Sequence, residues 1–130
     1  MRNKIVYLID DDKLSVKLVS LLIAKNESCQ EIHPFFNAQS ALDELQKNCD
    51  NIAKLPDIIL LDLNMPVMDG WQFLDEFVLL PIKKEINIFI VTSSIDPVDI
   101  EMAKVYSTLK GYIMKPITAD KLKFMAKKKE

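Results

Sequence analysis

The chain has 130 residues, 49% hydrophobic and 28% charged, with a formal net charge of −2. That length suits one domain able to bury about two thirds of its unfolded surface, and the slightly acidic balance argues against nucleic acid as the main partner, because phosphate binding leans on excess lysine and arginine. No apolar run approaches the roughly 20 residues of a membrane span, the start lacks a signal-peptide layout, and Cys29 and Cys49 form neither a CxxC pair nor a ligand cluster, which reads as two free thiols in a reducing cytosol with a disulfide left open.

Strand-like and helix-like segments alternate along the chain. A strand over 4–9, Ile5-Val6-Tyr7-Leu8-Ile9, ends in Asp10-Asp11-Asp12. A helix over 13–25 follows, with Asp12 as its N-cap and Leu14, Leu18, Leu21 and Leu22 at helical spacing. The strand over 29–35 is the weakest assignment, because Pro34 lies inside it. A helix over 38–48 places Ala38, Ala41, Leu42 and Leu45 on one face, and a polar connector runs from Asn48 to Pro56. The strand over 57–62 contains Ile58-Ile59-Leu60-Leu61, a run that reads as buried on both faces, and it ends at Asp62. Pro66 and the turn signal Asp69-Gly70 stop it there.

A helix over 70–80 carries Phe73, Leu74, Phe77 and Leu80. A strand over 86–91 delivers Thr92-Ser93-Ser94, and Asp96-Pro97 opens a helix over 97–108 as N-cap and first helical residue. A strand over 111–114 ends in Lys115-Pro116, and a last helix over 118–128 buries Leu122, Met125 and Ala126. Lys127-Lys128-Lys129 reads either as a tag for membrane or nucleic acid or as a solvated final turn that suits the helix dipole. Such alternation predicts a doubly wound α/β domain with right-handed crossovers. Two glycines in the whole chain leave no phosphate-cradling loop.

Four apolar runs therefore deliver acids, an acid, hydroxyls and an ammonium at their carboxyl ends, the edge where ligands bind in open α/β sheets. Taken alone, Asp62 reads equally well as a turn cap. If the strands are parallel neighbours, Asp10, Asp11 and Asp62 crowd together, which is costly unless a cation intervenes. Mg²⁺ fits such a site: it takes one or two carboxylates, keeps waters and leaves room for phosphate oxygens. A backbone carbonyl just past Asp62 would add a ligand; Thr92 and Lys115 suit an incoming phosphoryl group, and Asp62 suits the role of its nucleophile. An EF-hand reading fails at Pro66 and Val67, and a Ser-His-Asp triad has no support from His33, which reads as a strand-end polar residue.

Ile9-Asp10-Asp11, the run from Asp62 to Gly70 (Asp62-Leu63-Asn64-Met65-Pro66-Val67-Met68-Asp69-Gly70), Val91-Thr92-Ser93 and Gly111-Tyr112-Ile113-Met114-Lys115-Pro116 occur in this order along essentially the whole chain. With these motifs the chain resembles the receiver domain of two-component response regulators, the CheY-like fold. The resemblance implies a five-stranded parallel sheet of order 2-1-3-4-5 flanked by five helices. It implies Asp62 as phosphoryl acceptor, Asp10 and Asp11 as the acid pair holding Mg²⁺ (or Mn²⁺ in its place) with Asp11 the more direct ligand, and the Asn64 main-chain carbonyl as a further ligand. It implies Thr92 as switch hydroxyl, Lys115 as the pairing lysine, Tyr112 as aromatic switch and Lys115-Pro116 as a cis peptide. Ser93 stands where a smaller residue is usual and narrows access; Ser94 and Asn64 occupy positions that tune acyl-phosphate lifetime; Thr108-Leu109 departs from the small pair usual before the last strand.

The function so implied is that of a cytoplasmic phosphorelay switch, not an enzyme beyond its own phosphoryl transfer and dephosphorylation. Its donor is a sensor histidine kinase or histidine phosphotransfer protein, and its output a protein target met through the surface of the fourth helix, fifth strand and fifth helix. Neither membrane nor nucleic acid is a partner, and residues 1–130 form one receiver domain without an output domain. Two rivals remain. A haloacid-dehalogenase-type phosphatase needs DxDx[TV] on the first strand, where Asp10-Asp11-Asp12-Lys13 stands. A pseudo-receiver that is never phosphorylated conflicts with the full set of acids, Thr92 and Lys115.

Overall fold

The computed structural model describes residues 3–25 and 29–122. Five parallel strands, β1 (Asn3–Ile9), β2 (Cys29–Phe35), β3 (Ile58–Leu61), β4 (Asn87–Thr92) and β5 (Leu109–Met114), form one sheet of order β2-β1-β3-β4-β5. Between them run α1 (Lys13–Lys25), α2 (Ala38–Lys47), α3 (Gly70–Phe77) and α4 (Pro97–Val105). These four are the α-helices among the described residues. The predicted fifth begins instead as a 3-10 turn over Asp120–Leu122, and the rest of it, with Met125, Ala126 and the lysine run, lies outside the described residues.

The strands divide their side chains between two cores, as a period of two requires. Tyr7, Ile9, Ile59, Leu61, Ile88 and Ile90 face α2 and α3, packing with Leu45, Phe73 and Leu74. Val6, Leu8, Ile58, Leu60, Phe89 and Val91 face α1 and Leu122. Ile58 to Leu61 are fully buried, which accounts for their unbroken apolar run.

The helix predicted over 13–25 is present, but its leucines are not its buried face. Val16, Val19 and Ile23 are buried against the sheet, whereas Leu14, Leu18 and Leu21 are 54–65% exposed and Leu22 is half-buried. Both sets recur at helical spacing, so periodicity cannot choose between them; β-branched side chains here fill the sheet-facing layer. Asp12 does cap the helix, its Oδ1 accepting from the Leu14 N–H at 3.0 Å. Helix α4 stops at Val105, short of the predicted 108. Tyr106 turns extended (φ −85, ψ 104), its ring stacked on Trp71 and its hydroxyl donating to Asp75. Helix α3 likewise ends at Phe77, before the predicted 80.

Pro34 is accommodated at the sheet edge. The Phe35 carbonyl faces inward, accepting from the Asp10 N–H at 3.0 Å, so the preceding residue faces outward, where β1 needs no donor.

Candidate functional site at the carboxyl edge of the sheet

Asp10 and Asp62 leave adjacent strands at the same edge. The Asp62 N–H donates to the Ile9 carbonyl at 2.9 Å, which locks the ends of β1 and β3 together. Both carboxylates are buried, at 3% and 6% exposure, while Asp11 is exposed beside them. One carboxylate oxygen from each of Asp10, Asp11 and Asp62 lies within 4.8 Å of the others. Lys115 arrives from the end of β5, its backbone N–H donating to the Thr92 carbonyl at 2.9 Å. Its Nζ donates to Asp10 Oδ2 at 2.7 Å and stands 3.8 Å from Asp62 Oδ2. The Lys115–Pro116 peptide bond is cis.

Three acids against one ammonium leave excess negative charge. Burial, and then the Asp10 charge, push the Asp62 carboxyl from 3.8 up to about 6; Lys115 and the Asn64 backbone N–H pull the other way. A donor set of hard carboxylate oxygens, partly buried and short of positive charge, fits a hard divalent cation such as Mg²⁺.

The loop after Asp62 is shaped by its neighbours. Asp69 caps α3 in a reciprocal box with Gln72. Gly70 is needed by close approach: a Cβ there would lie 2.7 Å from the Asp62 carbonyl oxygen and 2.9 Å from Leu63 Cα. Val67 is fully exposed and has φ 70, the left-handed region that β-branched residues avoid. Asn64 is exposed on the same loop.

Thr92 ends β4, fully buried, one residue later than predicted for the strand. Its Oγ1 accepts from the Ser94 N–H at 3.2 Å. The Ser94 carbonyl accepts from the Tyr112 hydroxyl at 3.2 Å, and burial raises that phenol above its usual range. Ser94 Oγ donates to Asp99 Oδ2 at 2.6 Å, and the Trp71 indole N–H donates to Asp99 Oδ1 at 3.0 Å. The structure thus gathers Asp10, Asp11, Asp62 and Lys115 and joins Thr92 to Tyr112 through Ser94, whereas Ser93 points its residue to solvent as an exposed loop position. Sequence reasoning missed Trp71 and Asp99. Asp99, in the first turn of α4, reads in sequence as an ordinary dipole partner, and nothing links it to a tryptophan 28 residues away.

The family model described as the response regulator receiver domain matches residues 6–127. The chain belongs to that family. Among solved structures, this receiver domain is similar to a two-component response regulator from Cytophaga hutchinsonii (29% identity, TM-score 0.87, covering 98% of this chain and 97% of that one). It is also similar to the Mn²⁺-bound form of response regulator Rcp1 (26% identity, TM-score 0.74, covering 94% and 88%), a protein of Synechocystis sp.. Among curated relatives it matches the two-component response regulator ARR10 of Arabidopsis thaliana, at 26% identity over 91% of this chain and 20% of that protein. The receiver domain spans only 10% to 20% of the length of the first curated relatives it matches. It is a two-component signalling domain, and none of its described helices is long and apolar enough to cross a membrane.

Proposed function

We propose that this receiver domain takes a phosphoryl group from a phosphohistidine donor, a sensor kinase or histidine phosphotransfer protein, onto Asp62. The observation that carries this reading is the convergence of Asp10, Asp11 and Asp62 within 4.8 Å with Lys115 Nζ beside two of them. In the transfer the P–N bond of the donor breaks, its electron pair stays on the imidazole, and a P–O bond forms to the Asp62 carboxylate. Asp10, Asp11, Asp62 and the Asn64 carbonyl would hold Mg²⁺, with Mn²⁺ as a substitute, and such an ion would supply positive charge to the phosphoryl oxygens. Lys115 pairs with the same oxygens as a point charge. Water later attacks phosphorus, the P–O bond to Asp62 breaks and orthophosphate leaves as the carboxylate is restored, with Asn64, Ser93 and Ser94 setting access and lifetime.

Phosphorylation adds charge at the edge of β3. Thr92 moves toward it, Tyr112 follows, and the surface of α4 and β5 shifts population toward a form that a protein target reads. The exposed Leu14 and Leu18 and the half-buried Leu22 of α1 border a groove of about 350 Å³ shared with Lys115, Pro116 and Ile117, a surface suited to a donor helix beside the acceptor. The domain works in the cytoplasm, by protein contact, without membrane or nucleic acid, as the only domain of residues 1–130. Incubation with acetyl phosphate and Mg²⁺ followed by intact mass tests the acceptor: wild type gains one phosphoryl mass and Asp62→Asn gains none. An equal gain in both would overturn the assignment.

A further inference from the structure

Asp99 ties together three elements that the acceptor site has to move. Its Oδ1 takes the Trp71 indole N–H of α3 at 3.0 Å, and its Oδ2 takes the Ser94 hydroxyl at 2.6 Å. Ser94 in turn is bonded at every polar atom: its N–H goes to Thr92 Oγ1, its carbonyl receives Tyr112, and its Oγ also receives the Asp96 N–H at 3.3 Å. Trp71 is anchored too, stacked on Tyr106 with ring centres 5.1 Å apart and 9% exposed, one residue beyond the glycine that abuts Asp62. A half-buried carboxylate accepting two well-placed donors is among the stronger neutral-to-charged arrangements available.

We propose that Asp99 is a positioning residue: through Ser94 it holds the Thr92 hydroxyl on the β4–α4 loop and so opposes engagement of a phosphoryl group on Asp62. Displacing Thr92 Oγ1 toward Asp62 lengthens its bond to the Ser94 N–H unless Ser94 follows. Ser94 cannot follow while its hydroxyl is fixed to Asp99, and Asp99 is fixed in turn by Trp71. The Asp99–Ser94–Trp71 latch therefore biases the resting arrangement, and releasing it shifts the balance toward the engaged one. The inference rests on the acceptor reading of Asp62.

Trp71 is the only tryptophan in the chain, so its emission reports the latch directly. Beryllofluoride with Mg²⁺, a stable mimic of the phosphoryl group, is titrated into wild type, Asp99→Ala and Ser94→Ala while emission and heat are recorded. Wild type binds the mimic with a change in Trp71 emission. Both variants bind it about tenfold tighter, the scale of one charge-assisted hydrogen bond lost from the resting form, and the double variant is no tighter than either alone. Ser94→Ala keeps the backbone N–H, so it decides the matter even if Asp99→Ala folds poorly. Affinities within twofold of wild type, alongside a lowered Tm, make Asp99 a mere staple and overturn the latch alone. Failure of wild type itself to bind the mimic sinks the acceptor reading and the latch with it.

Discussion

Each end of the sheet sets a lysine against an aspartate, and the two pairs have opposite characters. At the amino end Lys84 Nζ lies 3.0 Å from Asp57 Oδ1 and also donates to the carbonyls of Leu55, at 2.9 Å, and Ile52, at 3.4 Å. Three ammonium protons meet three acceptors. Asp57 is bonded as well, its Oδ2 accepting from the Ile5 N–H at 3.1 Å. Together Lys84 and Asp57 staple the starts of β1 and β3 to the segment before β4. At the carboxyl end one lysine faces three acids, and Asp62 sits well above its ordinary pKa. A partly buried ion pair is thus no sign of a site; uncompensated charge of one sign is.

That contrast can be broken at either end. The largest expected effect on stability is at the closed pair. Lys84→Met removes the ammonium from Asp57 and the donor from two carbonyls and lowers unfolding free energy by about 3 kcal/mol in urea melts, while phosphoryl uptake from acetyl phosphate stays at the wild-type level. Lost uptake there would mean that the two ends are coupled.

At the open end the sign reverses. A carboxyl whose folded pKa lies above its unfolded value supports the fold below 3.8 and loses that contribution as pH rises through about 6. Asp62→Asn therefore stabilises the metal-free protein by about 2 kcal/mol at pH 7 and by nothing near pH 3.5. Melts with chelator present at both pH values check this, and a pH-independent gain would assign it to packing instead. The smallest effect is expected on the loop beside that carboxylate. Val67→Asn relieves a left-handed backbone that asparagine tolerates, raising stability by about 1 kcal/mol in the same melts. No gain there would show that the exposed valine is held without strain.

The open end was largely legible in the sequence because its signal is local. Apolar runs such as Ile58 to Leu61 stop abruptly at polar residues, and a parallel sheet collects such stops on one side. Strand order followed from resemblance, and the sheet has it. What stayed hidden depends on how helices lie against one another. In α1 two stripes, Leu14-Leu18-Leu21 and Val16-Val19-Ile23, share the helical period, and only docking on the sheet decides which is buried. Trp71 and Asp99 belong to different helices, and their bond exists because α3 and α4 lie side by side. The early end of α4 has a similar origin, in the stacking of Tyr106 on Trp71.

Pro34 has a further effect at the outer margin of β2. An extra strand joining there, from another copy of the chain or from a partly unfolded neighbour, would meet a position that offers no N–H to the new ladder. The proline that cost the strand its clarity in the sequence therefore guards this margin against the stacking that turns open sheets into fibrils.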